Sequence, residues 1–273
     1  MNISTAPPGY STSDLYVALV RLSYTLYSLP IITRTPYSCQ VMAPVTSREA
    51  DRVRLSRAAV VERALALSDA DGLEAVTIRR LATELGVSPM ALYWHFRTKD
   101  ELLAALADRV WAELDIHVDP AAPWPAQLRG LLQSLVRVLR QHPSASTLLL
   151  ANEKMTGEAA LAATEVTLNV LHHAGFDAAK SAAIARHGLF AALMLVMSEP
   201  GRAPGMTEAE CAEANRRAKV RLALLPPDRY PRVIESAGHL TSCEDPDEHY
   251  EFGIDLLIAG VESIAAAGPE PQP

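Results

Sequence analysis

From residue 55 onward, apolar side chains recur at three- and four-residue spacing, and the pattern predicts a succession of helices. Val60, Val61, Ala64, Leu65 and Ser68 mark one side of a helix over 56–69. Two short amphipathic runs follow, 77–85 and 88–96, joined through Gly86 and Val87, and a further helix is expected over 99–115. Leu128, Leu131, Leu132, Leu135, Val136 and Leu139 then form a wide apolar stripe over 126–141. Helices are expected over 144–151, 157–174, 177–198, 207–225, 230–237 and 247–266. Gly175 suits the residue just past a helix end, and Pro226-Pro227 halts the helix before it. Two of these helices, 177–198 and 247–266, contain stretches that are apolar nearly all round. Such helices must be buried on several sides.

The pair 77–85 and 88–96 has the pattern of a helix-turn-helix. Thr77 and Ser88 suit N-caps, because a hydroxyl can accept from backbone N–H groups that the first turn leaves unpaired. Pro89 suits the first helical position, where its missing N–H costs nothing, and Gly86 supplies the backbone freedom of a sharp exit. Thr98 to Glu101 predicts a capping box for the helix over 99–115. Leu92 and Phe96, four apart, share one face and can close a small core with Leu81, Leu85 and Val87. Met90, Ala91, Tyr93, Trp94 and His95 are then directed mostly outward. An exposed cluster of this kind is costly unless something covers it. Either a protein surface or the major groove of DNA could do so, with Arg79, Arg80, Arg97 and Lys99 placed around it for phosphates.

The chain has 273 residues, long enough for two domains, and 49% hydrophobic with 5% aromatic residues, which suits helices packed on helices. A net charge of −7 runs against a simple nucleic-acid binder. The acidity is uneven, however: residues 48–100 are close to neutral, with their basic side chains near the expected groove face. Cys39, Cys211 and Cys243 are far apart and form no C-x-x-C, which fits a reducing compartment. No phosphate-cradling glycine loop, H-E-x-x-H or G-x-S-x-G is present, which weakens enzyme readings. Residues 1–47 differ from the rest, with five of the eight tyrosines and many prolines. Their apolar stretch 15–32 is broken by Arg21 and ended by Pro30, marginal for a membrane span. A disordered extension and an arm reaching along DNA or a partner subunit are both open readings.

The run from Leu55 to Leu106, LSRAAVVERALALSDADGLEAVTIRRLATELGVSPMALYWHFRTKDELLAALA, resembles without gaps the DNA-binding domain of the TetR family of bacterial transcription regulators. The resemblance implies that Thr77 and Arg79 meet phosphate or a base edge. It places Ser88, Pro89, Met90 and Ala91 at base edges and thymine methyls, Tyr93, Trp94 and His95 on the sugar-phosphate backbone, and Lys99 on a phosphate. Tetracycline repressors commonly carry a base-reading Gln where Pro89 stands, so a different operator is expected. The sequence from Met42 is a typical short lead-in for the family, which favours Met42 as the true start.

The C-terminal part is similar to that of the tetracycline repressors, with Trp124 and the turn Ala174-Gly175-Phe176 as landmarks. The resemblance implies an all-α protein: a helix-turn-helix head over 48–115, an effector-binding and dimerisation domain over 116–267 and a tail over 268–273. Two apolar helices per subunit would form a four-helix bundle in a homodimer. The expected effector pocket draws on Leu131, Leu135, Leu149, Asn152, His187 and Met194. Leu149 occupies the position of a magnesium-binding His in tetracycline repressors, so a mostly apolar small molecule is expected rather than a magnesium–tetracycline complex, with no metal and no other cofactor. His172 and His173 are read as surface residues. The implied function is a cytoplasmic, non-enzymatic repressor on a palindromic double-stranded DNA operator, released when the effector moves the helix over 99–115. An activator, or a carrier or enzyme with a vestigial helix-turn-helix, is the alternative.

Overall fold

The computed structural model describes residues 55–151, 157–202, 206–242 and 245–267. The expectations for 1–47, including the start at Met42, and for Cys39, Asn152, Cys243 and the tail lie outside them. Among the described residues there are twelve α-helices and no strand. We number them α1 (Arg57–Asp71), α2 (Ile78–Leu85), α3 (Pro89–Tyr93), α4 (Lys99–Trp111), α5 (Trp124–Gln141) and α6 (Ala145–Ala151). The chain continues through α7 (Glu158–His173), α8 (Ala178–Met197), α9 (Glu208–Ala223), α10 (Pro231–Glu235), α11 (Ala237–Thr241) and α12 (Pro246–Ala266).

Most helices start at a side chain that satisfies the first turn. Ser56, Thr77, Ser88, Thr98, Asp177 and Thr207 each accept from the backbone N–H three residues on. The expected capping box at Thr98 is only half made. Thr98 Oγ1 accepts from Glu101 N–H at 3.1 Å, but Glu101 Oε2 accepts from Arg97 N–H at 2.9 Å instead of closing on Thr98. A reciprocal box forms at Thr207 and Glu210, which holds the Glu210 carboxyl below its ordinary pKa.

Two boundaries differ from the periodicity. α4 stops at Trp111 instead of continuing to 115, because Ser134 Oγ on α5 accepts from Asp115 N–H at 2.7 Å and draws the chain out of the helical path. The expected single piece over 230–237 is two short helices, with Ser236 between them.

In the head, Val60 and Ala64 of α1, Val76, Leu81 of α2, Leu92 of α3, Phe96, and Leu102 and Leu106 of α4 close one core, all essentially inaccessible to water. α4 leaves this core and packs on α6 and α7. The C-terminal domain is built around α5, α7, α8 and α12, with Leu132, Leu139, Leu148, Leu171, Leu193 and Ile258 in its interior. The near-continuous apolarity of α8 and α12 is not used up within one chain. α12 buries Tyr250, Ile254, Ile258 and Val261, yet Phe252 and Leu256 on its other side are 63% and 61% exposed. α8 is long and apolar enough to cross a membrane, and only 22% of its apolar window is buried.

Candidate nucleic-acid interface

α3 is positioned from both ends and from below. Ser88 Oγ accepts from Ala91 N–H at 3.3 Å, and Pro89 stands in the first turn, so the chain enters the helix already in helical conformation. Gly86, at φ 67°, sits in the left-handed region that a side chain would disfavour, and turns α2 into α3. Leu92 and Phe96 plug into the head's core, which fixes the face that remains outside. On that face Trp94 is 86% and Met90 66% exposed, and Tyr93, Ser88 and Pro89 are exposed as well. Thr77, Arg79 and Lys99 are exposed beside them, and neither Arg79 nor Lys99 has an ion-pair partner among the described residues. Ala91 and His95 are half-buried instead of outward.

Of the basic side chains expected around this face, Arg80 is engaged within the head. Arg80 bonds Asp71 and Glu84, chiefly Asp71, and these carboxylates hold its guanidinium above its already high pKa. Arg57, on α1, is tied to the turn between α3 and α4. Neither engagement was legible from the local motif.

The head is joined to the C-terminal domain by polar contacts as well as packing. Asp108 on α4 accepts from Ala159 N–H at 2.9 Å and Ala160 N–H at 3.3 Å, capping α7 from a neighbouring helix. Gly157, the residue before α7, offers no side-chain cap of its own, and a Cβ there would overlap the Asp108 carboxyl group. At the turn after α5, the His142 imidazole bridges Asp69 of α1 at 2.6 Å and Glu113 just past α4 at 2.9 Å. Ser144 Oγ donates to Ser68 Oγ at 2.8 Å alongside. Burial pulls the His142 pKa down, but the two carboxylates outweigh it and hold the imidazole above its ordinary value. Burial pushes Glu113 up, and His142 and Arg109 more than reverse it.

The cleft that Met194 lines does not include the other expected pocket residues, Leu131, Leu135, Leu149 and His187. Leu131 and Leu135 on α5 and Leu149 on α6 are buried. Met194 lines an open cleft of about 200 Å³ between α5, α8 and α12, with Leu132, Val136 and Leu257. That is below the range of roughly 300–1,000 Å³ typical of ligand sites. His187, placed in the pocket by sequence, is exposed on α8, so in a single chain it does not line an interior site. Asn152 falls outside the described residues. His172 and His173 are exposed, as expected. No cluster of three metal-ligating side chains occurs among the described residues.

Known proteins share both parts. Residues 60–106 match the model of bacterial regulatory proteins of the tetR family, and residues 118–265 match that of the tetracyclin repressor-like C-terminal domain. The HTH-type transcriptional repressor DrrR1 of Streptomyces coeruleorubidus is 32% identical over 215 residues, covering 76% of this chain and 77% of the relative. The class C tetracycline repressor protein of Escherichia coli is 30% identical over 213 residues, covering 77% of this chain and 92% of the repressor. Among solved structures, the TetR family protein ActR of Streptomyces coelicolor in complex with actinorhodin superposes with a TM-score of 0.68 at 28% identity, covering 78% of this chain and 99% of that one. The chain therefore belongs to the TetR family and is a DNA-binding transcription regulator, not an enzyme.

Proposed function

We propose that the protein is a repressor that binds a palindromic operator as a homodimer and is released by a mostly apolar small molecule. The observation that carries the reading is the α3 surface: Met90, Tyr93 and Trp94 stand exposed on a helix whose other side is locked into the core, with Arg79 and Lys99 beside it and without an ion-pair partner among the described residues. In this reading Ser88, Pro89, Met90 and Ala91 face base edges, while Thr77, Arg79, Tyr93, Trp94, His95 and Lys99 fix the helix on the backbone. The repressor names of the relatives support the sign of regulation.

The dimer is supported by the exposed apolar side of α12 and the sparse burial of α8. A second copy packing α8 and α12 against the same helices would cover both, with the two-fold symmetry that a palindrome requires. Burial in that bundle also gives α8 a role in a cytoplasmic protein without a membrane. The effector is assigned to the interior of α5–α8, near Leu131, Leu135 and Leu149. The complex of ActR with actinorhodin supports a small-molecule effector for this chain. Such a ligand acts by binding one arrangement of α4 more tightly than the other, each tenfold preference shifting the equilibrium by about 1.4 kcal/mol.

The test is release from DNA by actinorhodin and by magnesium–tetracycline, followed by fluorescence anisotropy of a labelled operator duplex. Release by the first and not the second is expected. Saturating actinorhodin binding to the protein with unchanged operator affinity would refute the induction scheme.

A further inference from the structure

We infer that Arg57 is a positioning residue for DNA reading: it clamps the C-terminal end of the recognition helix to α1 and α4 without being a phosphate ligand itself. The inference rests on the reading of α3 as the DNA-contacting helix. α3 has only five residues, Pro89–Tyr93, too few to hold a direction by their own hydrogen bonds. Its N-terminal side is set by Ser88 and Pro89, and its underside by Leu92 and Phe96. Its C-terminal side is set by Arg57, the first residue of α1, 38 positions earlier in the chain.

Three contacts meet at that one guanidinium. Arg57 Nη1 donates to the His95 carbonyl at 2.7 Å and to Glu101 Oε1 at 2.8 Å. The guanidinium carbon lies 4.2 Å from the centroid of the Phe96 ring, so the cation covers the side chain that plugs the head's core. Glu101 relays the restraint, since its other oxygen accepts from Arg97 N–H at 2.9 Å, and Thr98 in turn caps α4. The Arg57 hydrogen bond is the main influence keeping the Glu101 carboxyl below its ordinary pKa. A cation at the carbonyl end of α3 is also favourable to the aligned peptide dipoles. The turn held in this way, residues 95–101, lies between Trp94 and the Glu101 side chain and includes Lys99. A recognition surface has to be held to within about 0.5 Å by packing and supporting hydrogen bonds. This clamp adds a polar restraint at the C-terminal end of α3, over the buried Phe96.

Half of the Arg57 side chain is exposed, so direct contact with a phosphate is the competing role, and salt dependence separates the two. The wild-type protein first selects a duplex from random-sequence DNA, and its affinity on that duplex is the reference. Failure of the repressor reading therefore shows in the wild type, and failure of the clamp only in the variants. Arg57→Ala is expected to weaken binding about tenfold, the equivalent of one charge-assisted hydrogen bond, with an unchanged slope of log affinity against log salt. Glu101→Gln is expected to weaken binding in the same way, and the double variant no more than the stronger single, because both remove one clamp. Arg57→Lys should recover part of the loss, keeping the charge but not the fork. Should Arg57→Ala fail to fold, Glu101→Gln and Arg57→Lys carry the same comparison. A slope reduced by about 0.9 in Arg57→Ala would make Arg57 a phosphate ligand and overturn the inference. Unchanged affinity in folded variants would overturn it as well.

Discussion

Asp108 gives the most quantitative prediction, because it caps a helix that is not its own. Replacing it with Ala leaves Ala159 N–H and Ala160 N–H at the start of α7 without their acceptor, and Gly157 cannot substitute. Loss of a helix N-cap costs about 0.5–2 kcal/mol. Loss of a carboxylate from the positive end of a helix dipole adds about 0.3–1 kcal/mol, at the upper end where the site is half-buried. We therefore expect Asp108→Ala to cost about 1.5 kcal/mol, and Asp108→Asn, which keeps an acceptor oxygen without the charge, about half of that.

Gly157→Ala tests the same contact from the other side. The backbone there, φ −70° and ψ 152°, suits any residue, so strain is not the objection; the added methyl would overlap the Asp108 carboxyl group and drive it away. It should cost about as much as Asp108→Ala, and the double variant should cost less than the sum by about 1 kcal/mol. Urea unfolding at fixed protein concentration reads these values, and in a thermal scan 1.5 kcal/mol corresponds to about 3–6 °C for a chain of this size. Asp108→Ala indistinguishable from wild type, or strictly additive costs in the pair, would refute the cross-helix cap.

Three further outcomes follow from the same structure. Lys99→Ala should weaken operator binding and lower the salt slope by about 0.9, the signature of one lost phosphate contact; an unchanged slope would remove Lys99 from the backbone-contacting set. Leu256→Glu should give monomers in sedimentation equilibrium, because two-fold symmetry places the charge in the bundle twice and each lost leucine burial is worth about 1.5–3 kcal/mol; a persistent dimer would move the interface away from α12. The raised His142 pKa contributes stability that is complete below the unfolded-state value of 6.5 and is lost as pH rises through the higher native value. Wild type should therefore lose unfolding free energy relative to His142→Gln above pH 6.5, and parallel curves would show that the bridge to Asp69 and Glu113 carries no net stability.

What was legible in the sequence is what is local. The caps at Thr77 and Ser88, the turn at Gly86 and the buried pair Leu92 and Phe96 depend on neighbours within four residues, and all are present. The exposure of Met90, Tyr93 and Trp94 follows from that pair, since burying one side of so short a helix decides the rest. The misreadings arise where a distant partner competes. Arg80 is engaged by Asp71, nine residues away, and by Glu84. Glu101 left its capping box for Arg57 and the Arg97 backbone, and α4 ends early because Ser134 captures Asp115. His187 is exposed on α8, and a helix that is apolar nearly all round carries no pattern to say which of its sides faces the core. The links that tie the head to the effector domain, Asp108 to α7 and His142 to Asp69, span 51 and 73 residues and carry no motif.

The central claim is tested most directly by footprinting the wild-type protein on the DNA upstream of its own gene across a series of salt concentrations. The account predicts a protected palindrome whose half-sites are centred about one helical turn apart, 34–36 Å. It also predicts a steep loss of affinity with salt. Protection of a single unpaired half-site, or no protection at any salt concentration, would contradict it.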